Sequence, residues 1–495
     1  MGDRFVHMTN ENNWKARRSS LNVVLVFALC LGLGPNLAQT AAGDSFTNLH
    51  SFARGSDGAS PRCTLTLAGE TLYGTASAGG VWDYGAVFAI KRDGTGFTNL
   101  YSFSATSAPY YTNSDGAYPY AGLLLVSNTL YGTTTVGGTF GYGNGTVFKI
   151  NTDGTGFEVL HIFEGFPGDG ADCYAPLVWS DDRLYGTTLD GGSANRGTLF
   201  AVSTDGKAFT ILHSFEALSA GKNSEGANPY AGLVRSGNRL YGTAYYGGTG
   251  GSGSVFALNT DGSGFTNLHS FTAMSGAYIN SDGGYPHGGL ILSGGTLYGT
   301  TYFGGSSSNG TVFALSTNGT DFTALYTFTA TSGSSITNYD GARPLAELFL
   351  SGDTLFGMAL RGGGAGWGTL FALSTAGTGF TLLHTFGGAY VASDAGSPEG
   401  GLIRSGDTLY GAAVLGGTSF YGSVFSFPLP RLTITRFPGF VNVTWPTTVP
   451  GLTLLSSATL GPSAVWTSNP PPVILGGQYT VINLTTGAQK FYRLR

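Results

Sequence analysis

Residues 122–163 read GLLLVSNTLYGTTTVGGTFGYGNGTVFKINTDGTGFEVLHIF, four apolar or β-branched runs divided by turns rich in Gly, Asn and Asp. The runs are Gly122 to Val126, Leu130 to Thr133, Val147 to Ile150 and Phe157 to Phe163. Short runs of continuous apolar character predict strands covered on both faces. Leu-Tyr-Gly, with Phe for Tyr once, begins at Leu72, Leu130, Leu184, Leu240, Leu297, Leu355 and Leu409, a spacing of 54 to 58 residues. A unit of this length made of four short strands is the signature of a propeller or a solenoid.

The ends of the array bear on closure. It begins with Phe46-Thr47-Asn48-Leu49-His50-Ser51-Phe52, which matches the fourth strand of a unit, and its last unit stops after the third strand, Val424 to Phe427. An open solenoid would leave an orphan strand at one end and a three-stranded unit at the other. A ring in which the N-terminal strand completes the last unit removes both edges. The expectation is therefore an all-β chain: a seven-bladed β-propeller over residues 43–430, closed by its N-terminal strand. Residues 431–495 lose the repeat and predict a small β-sandwich-like domain with Trp445, Trp466 and Tyr492 in its core.

Composition agrees. Glycine at 82 of 495 residues, 13% aromatic and 10% charged residues describe a tight-turned β protein. Lys15, Arg17 and Arg18 precede the apolar stretch Leu21 to Leu33 and the small residues Ala38 to Gly43, which predicts a signal peptide over residues 1–42 and an exported protein. Its removal leaves 19 basic and 26 acidic side chains, a net charge of −7. A mildly acidic chain with no Lys/Arg cluster argues against nucleic acid, and no further apolar stretch predicts a membrane span after cleavage. Cys63 and Cys173 occupy different repeat positions and predict buried thiols, not a disulfide. A monomer is expected.

Length variation concentrates between the Phe ending the fourth strand and the acidic residue of the next Asp-Gly turn, from five positions (Phe52 to Asp57) to twelve (Phe103 to Asp115). In a blade this connection emerges on the same side as the one between second and third strands. Trp82, Tyr84, Tyr110, Tyr142, Tyr245, Tyr246, Tyr302, Trp367 and Tyr421 fall in these two sets of loops and form the candidate ligand-binding set.

Catalytic signals are weak. His50, His161, His213, His269 and His384 share one position of the fourth strand, where Tyr101 and Tyr326 stand in the other repeats, and a place that takes either ring is packing. His287, in Tyr285-Pro286-His287, is the exception, without a carboxylate or thiol partner in the local sequence. No nucleophile elbow, Walker loop, His-Glu-x-x-His or paired-cysteine site occurs. Asp57, Asp115, Asp169, Glu225, Asp282, Asp340 and Asp394 each lie 15 residues before the next Leu-Tyr-Gly. They either form turns before glycine or ring the loop face as a Ca²⁺ or cation site, and no other cofactor is expected.

The pattern Leu-Tyr-Gly-Thr, Gly-Gly, Gly-Thr-Val-Phe, Asp-Gly-Thr-Gly-Phe and Leu-His-Ser-Phe, met seven times over residues 46–427, resembles the GloVer, or choice-of-anchor, tandem-repeat family of exported bacterial proteins. The resemblance implies an exported protein and carries over no catalytic residue. The sequence thus points to a non-catalytic binding or scaffold protein whose loop face meets a glycan or other surface polymer. An interaction platform for an envelope protein is the alternative, and a propeller lyase or hydrolase a remoter one.

Overall fold

The computed structural model describes residues 46–494 except 141, 335, 389, 390, 392, 447–452, 460–463 and 485–489. The expected signal peptide, residues 1–42, lies outside them. The described chain is all-β apart from short 3₁₀ turns such as Gly55–Asp57, and divides into two compact units, Phe46–Pro428 and the residues from Leu429 onward.

Among the described residues the first unit holds seven four-stranded antiparallel sheets, and the arrangement is propeller-like. The sheet built from Leu124–Val126, Thr129–Thr134, Thr146–Asn151 and Glu158–Ile162 pairs its strands in chain order. Five others repeat it. The remaining one takes Ile403–Ser405, Thr408–Ala413 and Ser423–Pro428 from the end of the array and Thr47–Ser51 from its start, with Thr47 opposite Ser426 and Ser51 opposite Ser423. The N-terminal strand thus covers the edge that the last repeat leaves open.

Aromatic packing joins one sheet to the next. The glycine of each Leu-Tyr-Gly lies under the Phe ring of the third strand in its own sheet: a Cβ at Gly74, Gly132, Gly186, Gly242, Gly299, Gly357 or Gly411 would stand 2.5–2.6 Å from that ring's tip. Only glycine leaves room for the ring. The same Phe meets, edge to face at 5.2–5.6 Å, the Phe that ends the fourth strand of the preceding sheet, in pairs such as Phe103–Phe148 and Phe215–Phe256. Both rings are fully buried at every junction where they occur together, including Phe386–Phe425. The series closes on itself, because Phe52 on the N-terminal strand packs against Phe88, and Leu72, Phe88, Tyr410 and Val424 share one core cluster.

In the second unit, Thr433–Phe437, Phe440–Pro446, Gln478–Leu484 and Val473–Leu475 form one sheet, and Thr467–Ser468, Leu454–Ser457 and Phe491–Leu494 a smaller one. Trp445 and Tyr492 are buried, as their size in a small domain predicts, and Trp466 is half-buried. Cys63 and Cys173 are buried free thiols; Cys173 donates to the Thr187 carbonyl at 3.1 Å, and burial pushes its thiol up to about 12.

Gly242→Ala places a methyl group against Phe256 and is expected to cost about 1–3 kcal/mol as overpacking. Urea denaturation of the variant beside the wild type measures it.

Candidate functional site

The two sets of variable loops lie together. In every repeat the residues after the acidic position pair with the loop between second and third strands, through Ala59–Ala78, Ala117–Val136, Ala171–Asp190, Ala227–Tyr246, Gly284–Phe303, Ala342–Arg361 and the short ladder Ala395–Gly396 with Leu415–Gly416. One residue further on, backbone hydrogen bonds reach the preceding repeat, as from Tyr118 to the Tyr84 carbonyl at 2.8 Å and from Asn228 to the Arg196 carbonyl at 2.7 Å. This face is held by main chain, so its side chains are free to vary.

The acidic set is built into the scaffold. Each carboxylate meets the His or Tyr of the fourth strand: His50–Asp57 at 3.4 Å, Tyr101–Asp115 at 2.9 Å, His161–Asp169 at 2.5 Å, His213–Glu225 at 3.0 Å, His269–Asp282 at 3.2 Å, Tyr326–Asp340 at 2.7 Å and His384–Asp394 at 3.0 Å. Each also accepts the backbone N–H of the residue after the buried Phe, from Ala53, Ser104, Glu164, Glu216, Thr272, Thr329 and Gly387. A β-bulge at the preceding Leu, present in all seven sheets, accompanies the turn of the ring toward its acid. The other side of each ring stacks, at 3.7–4.5 Å, on a Phe of the next sheet, from His50 on Phe97 round to His384 on Phe46. Burial alone would raise the Asp282 carboxyl, but hydrogen bonds from His269, the Thr272 hydroxyl and the Thr272 amide outweigh it and hold the group below its usual value. Among the described residues no group of three His, Cys, Asp or Glu side chains is placed to hold a metal.

The aromatic candidates divide. Trp82, Tyr110, Tyr142, Tyr246 and Tyr421 are exposed, Tyr142 at 74% and Trp82 at 57%, whereas Tyr84, Tyr245, Tyr302 and Trp367 are half-buried. Several rings are propped by neighbours: Tyr110 stands edge-on to Tyr142 at 5.2 Å, Tyr245 to Tyr246 at 4.7 Å, and Tyr84 tilts over Tyr118 at 5.5 Å. Arg54 lies over Tyr421, Arg343 over Tyr302 and Arg361 over Trp367, each 5.7–5.8 Å from the ring centre. The candidates fall in the two sets of loops that the backbone pairings hold together.

A second constellation lies at the axis, and of its members the sequence singled out His287 alone. Ten residues before each Leu-Tyr-Gly stand Arg62, Tyr120, Tyr174, Tyr230, His287, Leu345 and Glu399, and all seven line one cavity of about 90 Å³. These seven residues are half-exposed, while the following Cys63, Ala121, Ala175, Ala231, Gly288, Ala346 and Gly400 are small and buried. Crowding of the inner segments demands this: a Cβ at Gly400 would meet the Cys63 carbonyl oxygen at 2.1 Å. Arg62 is ion-paired with Glu399 and lies 5.1 Å over Tyr120; Tyr120, Tyr174, Tyr230 and His287 follow in ring-to-ring contact at 5.0, 4.5 and 3.7 Å.

Eight residues before Leu-Tyr-Gly the lining is Thr64, Gly122, Pro176, Gly232, Gly289, Glu347 and Gly401, so Glu347 is the lone carboxylate of that ring. Its side chain fills space beside Gly289, where an added Cβ would lie 3.3 Å from the Glu347 carboxyl carbon. Burial with no compensating partner pushes Glu347 up to about 7, and burial, reinforced by Arg62, pushes His287 down to about 3. His287 is thus held neutral at physiological pH, while the Glu347 carboxyl keeps its proton well above the ordinary carboxylate range. The legible signal for this ring was variation: the position ten before Leu-Tyr-Gly carries five residue types in seven repeats while its neighbours stay small.

A family model described as the Gloeobacter/Verrucomicrobia repeat matches residues 37–143, 105–281 and 222–338, together more than half of the chain. No curated protein matches. Among solved structures, an oligogalacturonate lyase in complex with manganese is 12% identical with a TM-score of 0.46, over 79% of this chain and 95% of that one. Oligogalacturonate lyase from Vibrio parahaemolyticus gives 9% and 0.44, over 78% and 92%. TolB from Acinetobacter baumannii gives 10% and 0.33, over 74% and 78%. Likenesses this distant carry no argument about activity. Among the described residues no helix is long and apolar enough to cross a membrane.

Asp282→Ala strands the His269 ring and the Thr272 amide and is expected to cost about 1–3 kcal/mol at neutral pH. Because the folded-state carboxyl titrates low, the wild-type advantage is present above the ordinary carboxylate range and fades as pH falls through it; urea midpoints across pH 3–7 check both. Glu347 has the opposite sign. Its folded value is raised, so protonated Glu347 favours the fold at low pH and that contribution is lost as pH rises through about 7. Glu347→Gln is therefore expected to melt with the wild type near pH 4 and above it at pH 8, read by thermal denaturation.

Proposed function

The chain belongs to the Gloeobacter/Verrucomicrobia repeat family, and from that premise we propose that it is an exported, non-catalytic binding protein whose loop face recognises a glycan or similar surface polymer. We take Phe46–Pro428 as a seven-bladed β-propeller closed by its N-terminal strand, and the following residues as a small sandwich-like β domain. The observation that carries the binding role is the set of exposed rings held in place on one face. Tyr142, Trp82 and Tyr110 expose 74%, 57% and 50% of their surface, yet Tyr110 and Tyr142 are fixed against each other.

Rings presented in this way offer flat apolar faces to the C–H faces of sugars, and ordering them beforehand lowers the entropy cost of binding. Such exposure costs solvation in a free monomer and is usual where a partner covers it. The repeats build the same scaffold beneath each set of loops, so an extended polymer can cross several sets at once, each contributing weakly. The carboxylates that ring this face serve their own rings and amides, which supports recognition without a tightly held metal.

Purified protein presented with a panel of soluble and insoluble polysaccharides is expected to bind at least one saturably. Trp82→Ala combined with Tyr142→Ala is expected to weaken that binding about five- to a hundredfold, the loss of two ring contacts of about 0.5–1.5 kcal/mol each. Unchanged affinity in the double variant, or no binding by folded wild type, overturns the glycan reading.

A further inference from the structure

We propose that the axial cavity is a binding site for a small organic ammonium ion, with Glu347 as its counter-ion. The site does not use the exposed rings Trp82, Tyr110 and Tyr142 and does not depend on their role, although His287 in its wall touches the half-buried Tyr245 and Tyr302 at 5.9 and 6.3 Å.

Three features of the cavity carry the inference. The first is its charge. Arg62 is ion-paired with Glu399, which neutralises both. His287 faces the same space uncharged, and the Tyr174 and Tyr230 phenols are raised by burial, Tyr174 to about 12, so they stay neutral as well. Ionised Glu347 therefore leaves the cavity with one uncompensated negative charge, and among the described residues no hydrogen bond or ion pair answers it. A buried charge of this kind is costly unless a partner is supplied.

The second feature is the wall. Tyr174 and Tyr230 stack at 4.5 Å and His287 lies 3.7 Å from Tyr230, so aromatic rings border the space that the carboxylate shares. A carboxylate beside aromatic faces suits an organic cation, which gains from the ring quadrupoles as well as from the charge. A divalent metal needs several oxygen ligands, and a lone carboxylate among rings does not provide them.

The third feature is placement within the repeat. Four of the seven repeats carry glycine where Glu347 stands, at Gly122, Gly232, Gly289 and Gly401. Glycine is thus the residue this position ordinarily takes, and the fold does not require a carboxylate there. The cavity of about 90 Å³ accepts an ammonium group with a few atoms around it, either a free small amine or the amino end of a larger molecule.

Calorimetric titration of the full chain with ethanolamine and glucosamine, beside ethylene glycol and acetate, at pH 6 and pH 7.5, tests the site. Ethanolamine is expected to bind, acetate and ethylene glycol to give no heat, and affinity to rise several-fold from pH 6 to pH 7.5 as Glu347 ionises. Glu347→Gln and Glu347→Gly are each expected to weaken it tenfold or more, the glycine variant matching the other repeats and so retaining the fold. Binding of glucosamine as well identifies an amino sugar residue as the source of the ammonium; binding of ethanolamine alone identifies a free small amine. Equal amine affinity in both variants, or no amine binding by folded wild type at pH 7.5, overturns the proposal. The Trp82→Ala, Tyr142→Ala protein should keep its amine affinity, so failure at the loop face and failure at the axis are separable.

Discussion

The ring of the third-strand phenylalanine lies over the glycine of Leu-Tyr-Gly and meets the last phenylalanine of the sheet before it, and every junction depends on that contact. A side chain at the glycine would lift the ring, and a lifted ring would push neighbouring sheets away from each other. Because each ring touches its own sheet and its neighbour, local strand geometry and association between sheets are set by the same few atoms. Repetition then propagates the geometry around the chain until Phe52, carried by the N-terminal strand, meets Phe88.

The histidine–acid pairs form a second layer on that frame. A His or Tyr stacked on the next sheet is turned toward a carboxylate that also caps the amide after the buried phenylalanine. Each pair ties the start of a variable loop to the rigid outer strand. Loops of different length can therefore leave from the same anchor, which is how the chain varies its surface without disturbing its core. The same logic applies at the axis, where small residues let seven inner segments converge and the half-exposed positions between them are free to differ.

Much of the fold was legible because its rules are local and repeated. The four runs in residues 122–163 became the four strands of a sheet, and the stray strand at Phe46 found its edge at Ser423–Pro428. The candidate sites were less fully legible. The fourth-strand rings pack against Phe of the next sheet, as expected, but the acidic residues do not make the Asx turns expected before their glycines: their carboxylates reach back to the ring and an upstream amide, and Asn113, Asn223, Asn280 and Asn338 accept the glycine N–H in four of the turns. That the two sets bond to each other was hidden, because the intervening loop runs from five to twelve positions and gives no fixed spacing. The loop-face aromatics were found as a group, whereas their division into exposed and half-buried rings depends on neighbours such as Arg343 and Tyr118 that lie far off in sequence or in the next repeat.

By itself the sequence determined the strand content, the repeat and the strand that completes the last sheet, since these follow from residue periodicity and from turn residues acting over a few positions. Tertiary structure alone decided what stands at the axis. Arg62 and Glu399 are 337 positions apart and belong to the first and last repeats, and only closure of the array brings them into one ion pair. Glu347 reads in sequence as one more strand residue; it becomes a half-buried carboxylate with no bonded partner among the described residues because seven inner segments converge around it and shed part of its water shell.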